Sequence, residues 1–462
     1  MRCAHNYSRW TRLVGVFCRH FLMHSKAAIA RALATAIVAG PLTLEGVVDR
    51  SGRLFGKRWR WLRPLASRIV ESFGDGPRPR RITVTKFILG DRGFAQAYRK
   101  HELKIQNRSA PPRMLPAAGT ESWAVPDICT VGELADWLGI TIGELEWFAD
   151  LRSLEYKRNQ GGLRHYNYRP LAKRFGRIRL IEAPKTRLKE IQRRLLVGIL
   201  DQIPAHDAAH GFCRGRSIKT FASKHIGKRV LLRMDLEDFF PSISIARVQA
   251  LFRTVGYPES VSDRLAALCA NSTPSDIWQC DTFSSMAGQI HQARRRYSRA
   301  HLPQGAPTSP ALANLSAYRL DCRLLGLARW AGASYTRYAD DLAFSGDRDF
   351  ERVVKRFLIH VSATVMEEGF VVHHRKTRIM RQGVRQQLAG IVVNARTNVS
   401  RVDYERLKAT LVNSIRHGPQ SQNRAEHHDF RAHLSGRISF VEMINPARGE
   451  KLRQLFVQIS EW

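Results

Sequence analysis

The segment 334–346 constrains the fold of this chain most strongly, because it places two adjacent aspartates between two short apolar runs. The runs at 334–337 and 342–345 have the composition of strands, so the segment predicts a β-hairpin with an acidic tip. Asp340 and Asp341 at this tip repel each other unless a cation lies between them. Oxygen ligands select a hard ion such as Mg²⁺. Taken alone, however, such a tip is more often a solvent-exposed acidic turn than a metal site.

A third carboxylate follows another apolar strand earlier in the chain. Residues 230–234 predict a buried strand, and Asp235 stands at its end. A buried strand that ends in an aspartate can bring this carboxylate to the tip of the hairpin. Three carboxylates that hold two ions are the arrangement of two-metal phosphoryl transfer, in which one ion activates the attacking hydroxyl and the other stabilises the leaving oxygen. The two segments together therefore predict a site for two Mg²⁺ ions.

Further motifs accompany the two acidic segments. They are, in chain order, Ile-Glu-Ala-Pro-Lys-Thr-Arg-Leu-Lys at 181–189, His-Asp-Ala-Ala-His-Gly-Phe at 206–212, Leu-Pro-Gln-Gly-Ala-Pro-Thr-Ser-Pro at 302–310, Gly-Phe-Val-Val-His-His-Arg-Lys-Thr at 369–377 and Ile-Asn-Pro at 444–446. In order, spacing and residues, residues 165–455 resemble bacterial reverse transcriptases, specifically those of the retron group. The resemblance implies an α+β fold, namely a right-hand polymerase with fingers, palm and thumb, preceded by a mostly helical basic N-terminal extension.

The resemblance and the local composition divide the chain into five regions. These are a leader of undetermined structure at 1–45, a basic N-terminal extension at 46–115, a linker and helical pair at 116–165, the fingers and palm at 166–395 and a helical thumb at 396–462. The stretch 27–40 also has features of a signal peptide or membrane segment. Because Arg31 interrupts it, and because it falls short of the ~20 apolar residues that span a bilayer, no membrane partner is expected.

The resemblance also assigns roles to the carboxylates. Because adjacent residues of a strand point to opposite faces, Asp340 and Asp341 are not expected to reach the metals equally. The resemblance implies that Asp235 and Asp340 bridge the two Mg²⁺ ions while Asp341 lies at the edge of the catalytic site. It further implies that the main-chain carbonyl of Leu236 completes one metal shell.

The resemblance implies that two side chains, one aromatic and one cationic, contact the incoming deoxynucleotide (dNTP). Phe240 would lie beneath the sugar and exclude a 2′-hydroxyl, which favours DNA synthesis. The alternative is that Phe240 is an ordinary core aromatic, like its neighbour Phe239. Arg179, in a fingers hairpin that turns at 175–176, would clamp the triphosphate, a task that suits its forked guanidinium.

Further nucleotide contacts are implied on both sides of the acidic hairpin in the sequence. Gln304 and Gly305 match a turn that contacts the nucleotide and the templating base, where a side chain at 305 would collide with the base pair. Lys376 matches a lysine that protonates the departing pyrophosphate. Neutralisation of the negative charge at the site is an equally suitable role for Lys376.

Charge and composition indicate a nucleic-acid partner. The net charge of +35 favours a polyanion. Lys57, Arg58 and Arg60 alternate with two tryptophans, which suits RNA because guanidinium pairs with phosphate and indole stacks on bases. The alternative is a helical domain with a solvated basic face and tryptophan in its core. In the thumb, Arg437 is a further candidate RNA contact.

Two motifs that are usual in retron enzymes are altered in this chain. The usual Asn-Ala-x-x-His is replaced by Phe-Ala-Ser-Lys-His at 221–225, and the usual Val-Thr-Gly by Leu-Ala-Gly at 388–390. His225 and Gly390 match, and His225 is taken as a candidate RNA contact. The usual asparagine and threonine can form hydrogen bonds, whereas Phe221 and Ala389 at the same positions are apolar. The identity of the recognised RNA therefore stays open.

The predicted function is that of an RNA-directed DNA polymerase in a retron antiphage defence system. Such an enzyme would start from a 2′-hydroxyl of a guanosine and copy part of a structured noncoding RNA into RNA-linked single-stranded DNA, with an effector protein as a possible further partner. Seven scattered cysteines without a Cys-x-x-Cys motif favour reduced thiols and a cytoplasmic location. The alternatives are another defence-associated reverse transcriptase with a different template or priming, or a non-catalytic RNA-binding scaffold.

Overall fold

The computed structural model describes residues 25–74, 78–106, 112–154, 164–173, 177–279 and 287–460. These residues separate into two units, which are described in turn. Unit 1 comprises residues 1–203 and 244–306, and unit 2 comprises residues 204–243 and 307–462. Within the described ranges, no helix has the length and apolar character needed to cross a membrane. Part of the predicted leader (1–24) and the predicted fingers turn (175–176) lie outside the described residues.

The helices and strands are numbered along the chain. The helices are α1 (Lys26–Val38), α2 (Leu44–Phe55), α3 (Leu62–Phe73), α4 (Arg81–Gly90), α5 (Arg92–Lys100), α6 (Val131–Leu138), α7 (Ile142–Ala149), α8 (Thr186–Gly198), α9 (Ile218–Ser223), α10 (Phe239–Ser242), α11 (Ile245–Val255), α12 (Glu259–Cys269), α13 (Ala287–Tyr297), α14 (Ser309–Ser316), α15 (Tyr318–Trp330), α16 (Arg348–Glu367), α17 (Arg401–His417), α18 (Phe430–Ile444) and α19 (Pro446–Val457). The strands are β1 (Tyr166–Lys173), β2 (Arg177–Pro184), β3 (Val230–Asp235), β4 (Ala333–Tyr338), β5 (Asp341–Gly346), β6 (Arg378–Arg381), β7 (Gln387–Leu388), β8 (Ile391–Val392) and β9 (Asn398–Val399).

Unit 1 begins with a group of helices that share one hydrophobic core. Helix α1 buries Ile29, Leu33 and Ile37 and packs against α2 and α4. The Ser25 hydroxyl caps α1 by accepting a hydrogen bond from the Ala28 backbone. Arg31 lies on the exposed face. The apolar stretch of the predicted leader is therefore the amphipathic first helix of the N-terminal domain, in the same core as the helices of the predicted extension.

The rest of unit 1 contains the predicted helical pair and the first hairpin. Thr130 and Thr141 each cap a helix, α6 and α7, and Thr141 forms a full capping box with Glu144, which confirms the pair. Strands β1 and β2 form an antiparallel two-stranded sheet. Helix α13 packs against β2, and a small core around Leu180 and Tyr297 fills the space between them.

Unit 2 is built on a four-stranded antiparallel sheet with the strand order β4-β5-β3-β6. Strand β3 lies inside the sheet and its apolar residues are buried. Helix α16 packs against β3 and β5 with residues at helical spacing, among them Phe350, Val354 and Phe357. Helix α15 packs against β4. The predicted hairpin of residues 334–346 is confirmed as β4 and β5.

The end of unit 2 is helical, as the sequence predicts from residue 401 onward. A small sheet with the order β7-β8-β9 precedes helices α17, α18 and α19. These helices bury Leu407, Leu434 and Leu452 in one cluster, which also contains Leu231 of β3 and Leu388 of β7. The C-terminal helices and the central sheet of unit 2 thus share a hydrophobic core.

Candidate active site

The three predicted catalytic aspartates come together at one end of the unit 2 sheet. Tyr338 pairs with Asp341 across the hairpin, so Ala339 and Asp340 form a two-residue turn. Asp235, the last residue of β3, lies directly opposite Asp341 of β5. The Leu236 backbone N–H donates a hydrogen bond to the Asp340 carbonyl over 2.8 Å, which ties the turn to the end of β3. Strand pairing alone therefore gathers the carboxylates.

The environments of the three carboxylates differ. Burial, together with the charges of Asp235 and Asp341, raises the pKa of Asp340 to about 6. Burial also raises the pKa of Asp341, although the guanidinium of Arg233 opposes the shift. Arg233 donates from Nε and Nη2 to Oδ1 of Asp341 over 3.0 and 2.8 Å, and from Nη2 to Oδ2 over 3.0 Å. Asp341 thus has a fixed partner.

Asp235 is held by a lysine, whereas Asp340 has no such partner. Nζ of Lys376 lies 2.9 Å from both carboxylate oxygens of Asp235. No side chain among the described residues forms an ion pair with Asp340, and none donates a hydrogen bond to the Leu236 carbonyl. The negative charge of Asp340 is therefore the least compensated of the three. A bound cation would compensate it.

The donor set of this site fits a divalent cation by its chemistry. Three carboxylates and a free carbonyl are the oxygen ligands that hard ions prefer. Within the described residues, however, no group of three or more His, Cys, Asp or Glu side chains already has the arrangement of a metal site. Lys376 holds Asp235 and Arg233 holds Asp341. A bound ion would compete with these two cations for the carboxylate oxygens.

A buried ion pair contacts the backbone of the acidic turn. The guanidinium of Arg337 is fully buried and donates to both carboxylate oxygens of Asp321 over 2.8 and 2.6 Å. It also donates to Asn314 over 2.9 Å and to the Ala339 carbonyl over 3.1 Å. Ala339 has a φ of +55°, a conformation that costs a non-glycine residue free energy. Arg337 therefore helps to hold the turn that presents Asp340.

A glycine on the segment before α9 packs closely against the same turn. A Cβ atom on Gly211 would lie 2.7 Å from the Ala339 nitrogen, so only glycine fits without a shift. The Gly211 carbonyl accepts a hydrogen bond from Asn314 over 2.7 Å, and the His210 N–H donates to the Arg337 carbonyl over 2.7 Å. Gly211, Asn314 and Arg337 are positioning residues that the sequence did not reveal as such.

The two phenylalanines after Asp235 have different surroundings. Phe239 is buried and its ring lies 5.6 Å from that of Phe370. Phe240 is partly exposed, and its ring lies 6.3 Å from the half-exposed ring of Phe212. Of the pair, Phe239 is thus the core aromatic, and Phe240 retains a free face that a nucleotide could contact.

The predicted nucleotide contacts Arg179, Gln304 and Gly305 belong to unit 1. Nε of Arg179 is buried and has no hydrogen-bond partner among the described residues. The Gln304 carbonyl accepts a hydrogen bond from the Glu182 N–H over 2.9 Å, which joins the turn at 302–306 to β2. Gly305 has a φ of +136°, and a Cβ atom there would lie 2.9 Å from the Glu182 carbonyl. The backbone of β2 therefore requires glycine at this position.

A buried polar network fixes this turn. The Glu182 carboxylate is fully buried and accepts hydrogen bonds from Asn271 and Thr273, each over 2.8 Å. Its other oxygen lies 2.8 Å from Nε2 of His301, which is also buried. Burial lowers the pKa of His301, but the charge and hydrogen bond of Glu182 outweigh it, so the pKa is raised. The pair is therefore an ion pair when His301 is protonated.

Comparison with known proteins identifies the family. Residues 171–408 match the family described as reverse transcriptase (RNA-dependent DNA polymerase). The retron Mx65 reverse transcriptase of Myxococcus xanthus is 38% identical over 76% of this chain and 76% of its own length. This chain belongs to the retron reverse transcriptases. The retron Mx162 enzyme of the same organism is 36% identical over 71% of this chain and 66% of its own length. The retron Ec86 enzyme of Escherichia coli is 31% identical over 62% of this chain and 77% of its own length.

The family membership confirms the predicted activity, so the chain is an RNA-directed DNA polymerase. The two altered retron motifs of this reverse transcriptase are buried only in part, since Ser223, Lys224 and Gly390 are exposed. Phe221 and Leu388, which replace the usual asparagine and valine positions of these motifs, are fully buried in one hydrophobic cluster of unit 2. The changes at these two positions therefore alter core packing.

The candidate RNA contacts differ in accessibility. His225 is fully buried, with its ring nitrogens 2.7 Å from the hydroxyls of Ser345 and Thr336, and burial lowers its pKa to about 3. It is a neutral link between strands of the reverse transcriptase sheet, and its burial leaves no ring surface for the predicted contact with RNA. Arg437 lies on the exposed face of α18.

The basic cluster of the N-terminal domain combines exposed cations with packed tryptophans. Lys57, Arg58 and Arg60 are exposed, although Arg58 forms an ion pair with Asp49. Nζ of Lys57 lies 4.8 Å from the ring centre of Trp59. The ring of Trp61 packs 5.9 Å from those of Phe55 and Phe94, in the helical core. The charged side chains of the cluster are therefore exposed, whereas the indole of Trp61 belongs to the helical core.

The network around Glu182 predicts a pH-dependent stability. Replacing Glu182 by glutamine is expected to lower the free energy of unfolding by about 3 kcal/mol at low pH, because it leaves a buried imidazolium without its counter-charge. The pKa of His301 is raised in the folded state, so the pair stabilises fully below the unfolded value of about 6.5 and loses its effect as the pH rises through the folded pKa. Urea unfolding at several pH values measures the difference.

The control for this prediction is His301→Gln, which removes the titrating group itself. The difference between wild type and Glu182→Gln should shrink as the pH rises, and His301→Gln should unfold with little further dependence on this pH range. A difference that stays constant across the range would contradict the ion pair.

Proposed function

We propose that this reverse transcriptase synthesises DNA by two-metal nucleotidyl transfer at Asp235, Asp340 and Asp341. The observation that carries the proposal is their convergence at one end of the unit 2 sheet, where the pKa of Asp340 is raised to about 6 and no side chain of the described residues forms an ion pair with Asp340. Bound Mg²⁺ ions would activate the primer hydroxyl and stabilise the leaving pyrophosphate. Asp235 and Asp340 would hold both ions with the Leu236 carbonyl, and Asp341 would stay at the edge, held by Arg233.

Several other side chains have proposed roles in binding the dNTP. Arg179 would bind the triphosphate, for which its unpartnered Nε is available. Gln304 and Gly305 would contact the nucleotide and the templating base through the turn that Glu182 fixes. The side chain of Lys376 is 44% exposed. Its ammonium would leave Asp235 and donate a proton to the departing pyrophosphate, or neutralise the charge of the pyrophosphate.

We propose that the parts of the fold correspond to the subdomains of right-hand polymerases. Strands β1 and β2 of unit 1 correspond to fingers, the four-stranded sheet of unit 2 to the palm, and helices α17 to α19 to a thumb in which Arg437 contacts nucleic acid. Helices α1 to α5 form the N-terminal extension, in which Lys57, Arg58 and Arg60 would contact RNA phosphates. The net charge of +35 supports a polyanionic partner for these surfaces.

We further propose a retron role for the product. The enzyme would start from a 2′-hydroxyl of a guanosine in a structured noncoding RNA and copy part of that RNA, so that the DNA stays linked to it. The similarity to the retron Mx65, Mx162 and Ec86 reverse transcriptases supports this assignment. An antiphage function with an effector protein as partner is part of the same proposal.

The nucleic acid that copurifies with the enzyme tests the retron role. Its sequence should contain a structured RNA and a single-stranded DNA complementary to part of it, and the two should separate only after a 2′,5′-debranching treatment. DNA that is free of RNA, or that is attached to the protein, would contradict the proposal and favour another priming mode.

The free face of Phe240 predicts control of sugar selection. Replacing Phe240 by alanine should raise the use of ribonucleotides relative to deoxyribonucleotides by at least about tenfold, because space for the 2′-hydroxyl is gained. The relative rates of single-nucleotide incorporation from rNTP and dNTP measure the effect, and Phe240→Tyr, which keeps the ring, is the matched control. An unchanged ratio, or a relaxed ratio in Phe212→Ala instead, would show that Phe240 does not contact the sugar.

A further inference from the structure

Unit 1 contains a cavity of about 470 Å³ where the N-terminal helices meet α11 and α12. Its wall combines the end of α1, the segments around Arg78 and Arg113, Arg253 of α11 and the start of α12. None of the residues predicted for catalysis, nucleotide binding or RNA binding lines it. The cavity therefore needs an explanation of its own.

Arginines in this cavity outnumber the carboxylates that could neutralise them. The two carboxylates in the wall, Glu259 and Asp263, lie 3.9 and 3.3 Å from the guanidinium of Arg80, and Glu259 also accepts the Arg81 backbone N–H over 2.6 Å. Arg264, a further lining residue, forms an ion pair with Glu146 over 2.5 Å. The acidic groups near the cavity thus have partners already.

Four lining arginines have side chains that form no ion pair with a carboxylate among the residues that the structure describes. They are Arg78, which donates a hydrogen bond to the Gly40 carbonyl over 3.1 Å, Arg81, Arg113 and Arg253. The charges of Arg50 and Arg113 act on Arg78, and the charge of Arg80 acts on Arg253. Burial, Arg50 and Arg113 lower the pKa of Arg78 to about 10. The fold thus holds like charges together at a cost in free energy.

Arg253 carries the strongest indication of a ligand. Its Nε and Nη1 atoms are buried, yet they have no hydrogen-bond partner in the structure. Buried polar groups are nearly always hydrogen-bonded, so an unsatisfied guanidinium on a cavity wall points to a missing acceptor. Burial and the charge of Arg80 lower the pKa of Arg253, although the carboxylates of Glu259 and Asp263 oppose the shift. An anionic acceptor would satisfy both the free N–H groups and the charge.

We propose that this cavity binds a phosphate group through Arg253, Arg78 and Arg113. Guanidinium groups match phosphate oxygens in a forked geometry, and several of them together favour an anion with more than one acceptor oxygen. The net charge of +35 favours the RNA backbone as the source of the phosphate, and this part rests on the proposed RNA-binding function. A free polyphosphate offers the same chemistry, and the test separates the two.

The first arm of the test measures thermal unfolding of the full chain with inorganic tripolyphosphate. Without ligand, Arg253→Gln should unfold at the same temperature as wild type or higher, because it removes like-charge repulsion. Tripolyphosphate should raise the unfolding temperature of the wild type and not that of Arg253→Gln. A lower unfolding temperature of Arg253→Gln without ligand, and equal shifts with it, would mean that Arg253 is only structural.

The second arm measures binding of a short single-stranded RNA at several salt concentrations. Arg253→Gln and Arg113→Gln, the latter at the exposed mouth of the cavity, should each weaken binding about tenfold or more. Each should also make the slope of log K against log salt shallower by about 0.7. Arg99→Gln is the matched control, since Arg99 is an exposed arginine of the same domain outside the cavity, and it should change affinity less than the cavity variants.

The outcomes separate the possibilities. Loss of RNA affinity in both cavity variants but not in Arg99→Gln supports the RNA backbone as ligand. A response to tripolyphosphate alone supports the phosphate site and assigns it to a free polyphosphate. No response to either probe overturns the proposal. Both arms measure binding and not DNA synthesis. A wild-type protein that makes no DNA would therefore contradict the proposed function without changing the interpretation of the binding results.

Discussion

Replacing Asp340 by asparagine is expected to lower the rate of DNA synthesis on a primed RNA template by roughly 10³-fold or more, as when a group that stabilises transition-state charge is removed. Asp340 is the carboxylate without a cationic partner, and Asp235 and Asp341 add negative charge around it. Asparagine keeps the size of the side chain but loses the charge that would hold Mg²⁺. Primer extension with dNTPs under single-turnover conditions measures the rate.

Two controls accompany this variant. Asp340→Asn should unfold no earlier than wild type, because it relieves like-charge repulsion from Asp235 and Asp341, so that lost activity is not lost folding. Asp341→Asn should be the milder lesion in catalysis, since Arg233 holds Asp341 through three hydrogen bonds. Equal losses in both variants would show that the turn presents both carboxylates to the metals, and undiminished synthesis by Asp340→Asn would refute the metal assignment.

The second large effect is expected at the buried ion pair of Arg337 and Asp321. Replacing Asp321 by asparagine should lower the free energy of unfolding by about 3–5 kcal/mol, because it leaves the fully buried guanidinium of Arg337 without its counter-charge. DNA synthesis should fall as well, since Arg337 also holds the Ala339 carbonyl next to Asp340. Urea unfolding and primer extension on the same preparations measure the two effects.

The matched control is Asp349→Asn, which breaks the exposed pair of Asp349 with Arg352 and should leave stability unchanged. A double variant, Arg337→Met with Asp321→Leu, should regain much of the stability, because apolar groups of similar size can replace a buried pair. Its activity should remain low, because the hydrogen bond to Ala339 is gone. Full activity in this double variant would show that Arg337 does not position the turn.

The parts of the site that sequence reasoning predicted are those that local patterns encode. The hairpin of β4 and β5 follows from two short apolar runs on either side of an acidic turn, and the strand before Asp235 from a continuous apolar run. The helical pair was predictable because Thr130 and Thr141 stand at capping positions. Each of these features is determined within a few residues of the chain.

The parts that the sequence did not reveal depend on contacts between distant segments. A charged residue in a strand, such as Arg337 or Glu182, is usually taken as solvent-exposed, and its burial becomes evident only with its partner. Glu182 and His301 meet from different elements of unit 1. The need for glycine at 305 arises from the close approach of β2, and not from the base pair alone. The apolar segment of α1 belongs to a core whose other helices lie later in the chain.

Backbone cleavage by Fe²⁺ bound in place of Mg²⁺ tests the central claim, that the three aspartates hold the catalytic metals, most directly. With ascorbate and peroxide, the bound ion produces hydroxyl radicals that cut the nearest peptide bonds, and mass spectrometry locates the cuts. We expect cuts close to Asp235 and to the turn at 339–340, lost on addition of Mg²⁺ and absent in Asp235→Asn with Asp340→Asn. Cuts elsewhere in the chain, or cuts that persist in this double variant, would contradict the claim.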